Sequence, residues 1–272
     1  MQLLEQELGV QLFERKARGV MLTDAGKLLQ QRAAVLLKDV ALMKEEVSAR
    51  SLEPIGGVGL AVPTALRSLL TARVTAGFCT AHPKAVLTVH EGMSRSARDM
   101  VASGGADVAI FSTQEPADPL KCEPLLSEQL VAIGRPDAGL RMDRRLSIKE
   151  LCRQPLILTS YPNSLRQIVD RAAAQAGEVA RARVEVETSS LMLDLAVRGV
   201  GIAVLPYCAA HDGLSAGLVS AAPVRALRIS WVVATSRERV RSVAAQRLVE
   251  LVYAEARALV KGAHWPTATL LG

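Results

Sequence analysis

Apolar residues recur at two different periods along this 272-residue chain, and the changes of period divide it into three stretches. Residues 24–50 contain no proline, and Leu29, Ala33, Leu36, Val40, Met43 and Val47 follow one another at spacings alternating between four and three. That is the seam of a heptad helix about three heptads long, suited to pairing with a second copy or to packing on its own domain. In front of it, Leu4 and Leu8 lie one turn apart with Gly9 in the place of a C-cap, which predicts the end of an amphipathic helix over residues 1–8. Val10, Leu12 and Phe13, then Val20 and Leu22, form two short apolar runs around a polar stretch, the pattern of a hairpin. Thr23 is placed to cap the helix that follows. Behind that helix, residues 51–57 carry Pro54, Gly56 and Gly57, which remove a donor and add backbone freedom, so a boundary is expected there.

From Val58 onward strand and helix periods alternate. Val58, Leu60 and Val62 predict a strand ending at Pro63 and Thr64, and Leu66, Leu69, Leu70, Val74 and Phe78 then recur at helical spacing. A strand over 85–91, a helix from Ser94 to about residue 102, a Gly104 and Gly105 turn and a strand over 107–111 follow. The order restarts with a strand at 156–158, a helix capped by Asn163 or Ser164, a strand begun by Val184 and Val186, a helix over 191–197 and a buried strand over 202–205. Apolar strands alternating with helices are the signature of a parallel sheet covered on both faces. Two such halves, joined through residues 120–136, predict a two-lobed α/β body with a cleft between the lobes. A last helix over 240–260 shows Val240, Ala244, Leu248, Leu251 and Val252 on one face, and residues 264–272 read as a loose tail.

Composition narrows the classes of function. Half of the residues are hydrophobic, enough for a globular body. The net charge of +6 favours polyanionic partners only mildly, because the first fifty residues hold eight basic against seven acidic side chains. Arg15, Lys16 and Arg18 at the hairpin tip are a local basic concentration. Cys79, Cys122, Cys152 and Cys208 are far apart and lack His at ligand spacing, so neither a zinc site nor a CxxC redox motif is supported, and reduced, buried thiols are expected. No metal or cofactor is expected. Glu5 and Glu7 stand where a secretory leader needs a basic start, and no stretch is long and apolar enough to span a bilayer, so the expectation is a cytoplasmic protein with no membrane partner. Catalysis finds no support. GMSRS at 92–96 lacks the second glycine of a nucleophile elbow, the four histidines share no triad spacing, and Gly57 and Gly59 lead into a strand rather than out of one.

LEQELGVQLFERKARGVMLTDAGKLL, residues 4–29, resembles the close of the winged helix-turn-helix of LysR-type transcriptional regulators, with LE, LG, LF, R, LT and AG in that family's order and spacing. GGADVAIF at 104–111, PLILTSYPNSLR at 155–166 and VRGVGIAVLP at 197–206 are similar to landmarks of the same family's effector-binding domain. The resemblance implies a two-lobed α/β domain with the fold of type 2 periplasmic binding proteins, preceded by a partial winged helix-turn-helix and a long linker helix. It divides the chain into 1–23, the end of the recognition helix and the wing; 24–53, the linker and dimerisation helix; and 54–272, the effector-binding domain. In the family the first two helices and most of the recognition helix precede the Leu4 and Glu5 pair, so an N-terminal truncation and poor operator binding by this chain are expected. The function implied is a ligand-responsive, DNA-binding transcription regulator that assembles with itself as a dimer or tetramer. The alternative is a cytoplasmic small-molecule-binding protein or dimer partner that has lost sequence-specific DNA binding.

Ligands of parallel sheets gather beyond the carboxyl ends of strands, where helix N-termini direct free N–H groups at an anion. Thr64, then Ser112 with Thr113, then Thr159 with Ser160 follow predicted strands, the last pair leading to the helix near Asn163. The resemblance carries Thr64, Ser112, Ser160, Asn163 and Ser164 over as lining of the effector cleft and sets Ser94 near the lobe interface. Each is also a residue type common in caps and turns. An aromatic content of 3% argues against a stacked sugar or nucleobase and for a small polar or anionic effector. Arg15, Lys16 and Arg18 are expected on DNA phosphates, where they position without specifying sequence. Leu29, Ala33, Leu36, Val40, Met43 and Val47 are expected on the dimer helix.

Overall fold

The computed structural model describes residues 2–16, 19–47, 54–112 and 120–271. Helix α1 (Gln2–Leu8) stops at Gly9, whose φ of +67° suits a residue without a Cβ. The hairpin β1 (Phe13–Lys16) and β2 (Gly19–Leu22) pairs Phe13 with Leu22 and leads to α2 (Asp24–Val47). Local polar groups hold these pieces together. One Glu5 carboxylate oxygen accepts from the backbone N–H groups of Leu12 (2.7 Å) and Phe13 (3.2 Å), and the Thr23 hydroxyl accepts from Gly26 N–H (3.0 Å) while donating to the Gln11 carbonyl (2.7 Å). A Cβ at Gly26 would lie 2.0 Å from the Leu12 carbonyl oxygen, so α2 can cross the hairpin this closely only with glycine there. On α2, Leu29 and Ala33 are half-buried, whereas Leu36 (66%) and Val40 (44%) are exposed. The side chains of Met43, Val47, Arg15 and Lys16, all of Arg18 and Thr113, and residues 51–53 of the expected boundary lie outside the described residues.

The body begins with β3 (Gly56–Pro63), which runs through a 3-10 turn and a single π-helical turn into α3 (Ala72–Ala81), followed by β4 (Ala85–Gly92), α4 (Ser94–Ser103) and β5 (Val108–Ser112). Strand β3 lies parallel between β4 and β5, which makes the first lobe. The second lobe has α5 (Ile148–Cys152), β7 (Leu156–Leu158), α6 (Ser164–Gln175), β8 (Ala182–Glu185), α7 (Ser189–Val197), β9 (Ile202–Pro206) and α8 (Tyr207–Ser215), with β7 parallel to both β8 and β9. Between the lobes run two long strands, β6 (Leu120–Gly134) and β10 (Ser220–Ser236), antiparallel to each other and shared by both. The sheet is therefore mixed rather than wholly parallel. Residues 120–136, expected as a connector, are mostly strand, and the strand expected to start at Val184 ends at Glu185.

The pairing of the two long strands is interrupted where they pass from lobe to lobe. Register shifts occur between Pro223 and Arg228 and between Trp231 and Val232, and Ala226 takes a left-handed φ of 63° inside the first. Pro124, which has no N–H to give the ladder, sits at the second, opposite Val232.

Two further differences concern the C-terminal region. Helix α9 (Val243–Lys261) is capped by the Ser242 hydroxyl, and it buries Ala244, Leu248 and Val252 as expected, but Val240 precedes it and is exposed. The tail is not loose. Trp265 is 1% exposed, and β11 (Ala268–Leu270) pairs with β6. The large apolar area of one indole is enough to dock a short segment that has no periodic pattern of its own.

Candidate functional site

The carboxyl ends of β3, β4 and β5 in one lobe and of β7 and β9 in the other open onto a single cavity of about 660 Å³. This is the place that strand polarity selects for ligands in sheets of this kind. Thr64 leaves β3, Ser94 opens α4, Ser112 ends β5, Thr159 and Ser160 follow β7, Asn163 caps α6 and Ser164 begins it, and all seven line the cavity. Asn163 performs its capping through its side-chain carbonyl, which accepts from Leu165 N–H at 2.9 Å.

Three of these hydroxyls form a chain across the cleft. Ser94 Oγ lies 3.0 Å from Ser112 Oγ and accepts from Ser112 N–H, and Ser112 Oγ lies 3.2 Å from Ser164 Oγ on the opposite lobe. Thr159 behaves differently. It is 3% exposed, and its hydroxyl has no hydrogen-bond partner; of the buried hydroxyls in that condition among the described residues, only Thr159 lines the cavity.

The loop carrying Thr159, Ser160 and Asn163 is held by a residue that the sequence did not single out. Arg166 donates to Asp170 (2.8 Å), Glu185 (2.5 Å) and the Thr159 carbonyl (3.4 Å), and its guanidinium stacks 4.9 Å from the centre of the Tyr161 ring. Glu185 first and then Asp170 raise the Arg166 pKa further, and the Tyr161 hydroxyl donates to Asp170, which raises the tyrosine pKa. The Tyr161–Pro162 peptide bond in this loop is cis. At the other side, the Ser68 hydroxyl and then His211 hold Asp212 of α8 below the usual carboxylate range, tying the segment after β3 to the second lobe.

Charged and aromatic lining residues were not anticipated. Arg98 and Asp99 lie one turn into α4 and Gln167 and Arg171 one to two turns into α6, so counting inward from the predicted helix starts would have found them. Phe111, Tyr161 and Trp231 also line the cavity, although aromatic residues make up only 3% of the chain. Trp231 lies on β10, a strand that periodicity did not predict.

Residues 53–257 match the LysR substrate binding domain family, and residues 1–27 match the bacterial regulatory helix-turn-helix protein, lysR family. This chain belongs to the LysR family of transcriptional regulators. The LysR-type chain is 30% identical over 265 residues to the HTH-type transcriptional regulator BbuR of Bordetella bronchiseptica, a match spanning 97% of this chain and 82% of that protein. Its fold is shared by a full-length OxyR variant from Pseudomonas aeruginosa, with a TM-score of 0.70 and 19% identity over 94% of this chain and 83% of that one. The Synechocystis CcmR regulatory domain in complex with 2-PG has a TM-score of 0.65 and 21% identity over 74% of this chain and 98% of that one. These relatives are transcription regulators by name or family, in keeping with a regulatory role for the LysR-type chain. Among its described residues no helix is long and apolar enough to cross a membrane.

Proposed function

We propose that the cavity is the effector site of this LysR-type regulator and that it takes a small polar or anionic molecule, with Thr64, Ser94, Ser112, Thr159, Ser160, Asn163 and Ser164 as the polar contacts. The observation that carries this reading is the meeting of seven hydroxyl and amide side chains from both lobes on one cavity, three of them joined in the Ser94–Ser112–Ser164 chain across the cleft. The Thr159 hydroxyl is buried beside them without a partner, at a cost of about 1–3 kcal/mol. The N-termini of α4 and α6 open onto the same space and favour negative charge there. The complex of the CcmR domain with 2-PG supports a small ligand on this fold.

In this reading residues 54–272 sense the ligand, the lobes pivot on β6 and β10, and the linker helix of 24–53 passes the change to paired subunits. Leu29, Ala33, Leu36, Val40, Met43 and Val47 form the pairing seam, and the exposure of Leu36 and Val40 supports it, since apolar side chains in water favour a partner. Arg15, Lys16 and Arg18 of the 1–23 segment rest on DNA phosphates. The protein acts in the cytoplasm as a regulator and not as an enzyme.

A thermal-shift series with sodium phosphate, glycolate and benzoate as probes tests the site, run on the unaltered chain and on Thr159→Val and Ser164→Ala. Stabilisation by at least one anion that is lost in both variants is the expected result. A response that persists undiminished in both removes the cavity from the reading.

A further inference from the structure

Behind the cavity wall the chain buries a carboxyl group with neutral partners only. Glu128, 0% exposed, lies on β6 at the passage between the lobes, with β10 paired on one side of it and β11 on the other. The Trp231 indole N–H donates to Oε1 at 2.7 Å and the Trp265 indole N–H to Oε2 at 2.8 Å. The Cys208 thiol of α8 donates to Oε1 at 3.2 Å, and the Thr267 hydroxyl lies 3.5 Å from Oε2. Three separate segments, α8, β10 and the stretch 265–267, therefore converge on one side chain. The chain has two tryptophans, and both are bound here.

Of this group, Trp231 lines the cavity, whereas Glu128 and Trp265 do not. An indole has one polar hydrogen, so a single strong acceptor fixes its ring plane against rotation. Burial raises the Glu128 pKa, and the bonds from Trp265, Trp231 and Cys208 work against that rise without cancelling it. When the group holds its proton, Cys208 Sγ or Thr267 Oγ is placed to accept it, so both indoles stay bonded. Apolar residues of similar volume commonly stabilise a core as well as a buried polar cluster or better, which leaves orientation as what this cluster adds.

We infer that Glu128 is a positioning residue for the cavity: it holds the Trp231 indole as a fixed wall and makes the C-terminal segment around Trp265 part of that wall's support. The inference rests on the reading of the cavity as a ligand site. Ligand contact with Trp231 is thereby felt at α8, at the lobe passage and at β11 together.

The test uses the full chain with Trp265→Phe, which leaves Trp231 as the one fluorophore of its kind, and acrylamide as the probe. Adding Glu128→Leu is expected to raise acrylamide quenching of Trp231 by about twofold or more. Glu128→Gln, which keeps one acceptor oxygen, is expected to leave it near the parent value. Equal quenching in the folded Leu and parent chains overturns the inference. Should the Leu variant not fold, indole N–H exchange in the unaltered chain decides: protection of Trp231 by about a hundredfold or more is expected, and free exchange overturns the inference. Acrylamide reads Trp231 whether or not an anion binds, so loss of the anion response with the quenching result intact sinks the cavity reading alone.

Discussion

Two polar constellations lie side by side in the body of this regulator, and they are finished to different degrees. Around Glu128 every hydrogen-bonding atom has a partner, although the group is a carboxyl sealed from water. At the cavity, a short distance along β10, Ser94, Ser112 and Ser164 are only half-buried, and the Thr159 hydroxyl is buried without a partner. A satisfied buried network specifies one arrangement of the chain, whereas an unsatisfied one keeps free energy in reserve for a molecule that completes it. In the proposed reading the difference separates a part that holds shape from a part that takes an effector.

The comparison breaks first if Glu128 proves dispensable. Glu128→Leu leaves two indole N–H groups and a thiol without their acceptor, and urea denaturation is expected to show a loss of about 3–5 kcal/mol. A loss below about 1 kcal/mol would make the cluster ordinary core. A second test uses pH. The native state holds the Glu128 proton more tightly than the unfolded chain, so this group's contribution is complete below the usual glutamate range and is lost as pH rises through its raised native value. Glu150 and Glu250, held low by Ser147 and by Arg247 respectively, have the opposite sign and lose their contribution as pH falls. The stability difference between the unaltered chain and Glu128→Gln should therefore shrink as pH is raised from that range, measured by denaturation at a series of pH values. A constant difference would contradict the raised value.

On the cavity side the expected effects are smaller and of the other sign. Thr159→Val keeps the shape and removes the orphan hydroxyl, so the ligand-free chain should gain about 1–2 kcal/mol, visible as a higher Tm. Destabilisation instead would mean that the hydroxyl already has a partner. Smallest is Ser164→Ala, which ends the hydroxyl chain at Ser112 and should shift ligand-free stability by no more than about 0.5 kcal/mol, since Ser112 and Ser164 are both only half-buried. A loss well beyond that would make the serine chain a structural latch between the lobes.

Much of the fold was legible because it is written in short-range terms. Gly9 ends a helix, Thr23 and Asn163 cap two others, and the apolar runs at 58–62, 107–111, 156–158 and 202–205 fall where strands are. The seven candidate cavity residues come together because each stands just beyond a strand or at a helix start, positions that polarity alone brings to one edge of the sheet. Strands β6 and β10 escaped because Lys121, Glu123, Glu128, Arg225 and Arg228 interrupt their apolar runs, although Glu128 turns inward. Val240 was assigned to the buried face of a helix that begins only after Ser242.

The sequence by itself determined the family, the alternation of strands and helices and the ends of the parallel strands where polar side chains collect. Those properties depend on neighbours within a few residues, through periodicity, capping and turn chemistry. Tertiary structure alone decided which polar groups are satisfied. Glu128 meets Cys208, Trp231 and Trp265 across 80, 103 and 137 residues of chain, and Trp265 turns an unpatterned tail into part of the core. A buried carboxyl has no local signature, because what makes burial tolerable is supplied by distant segments that meet it only in the folded chain.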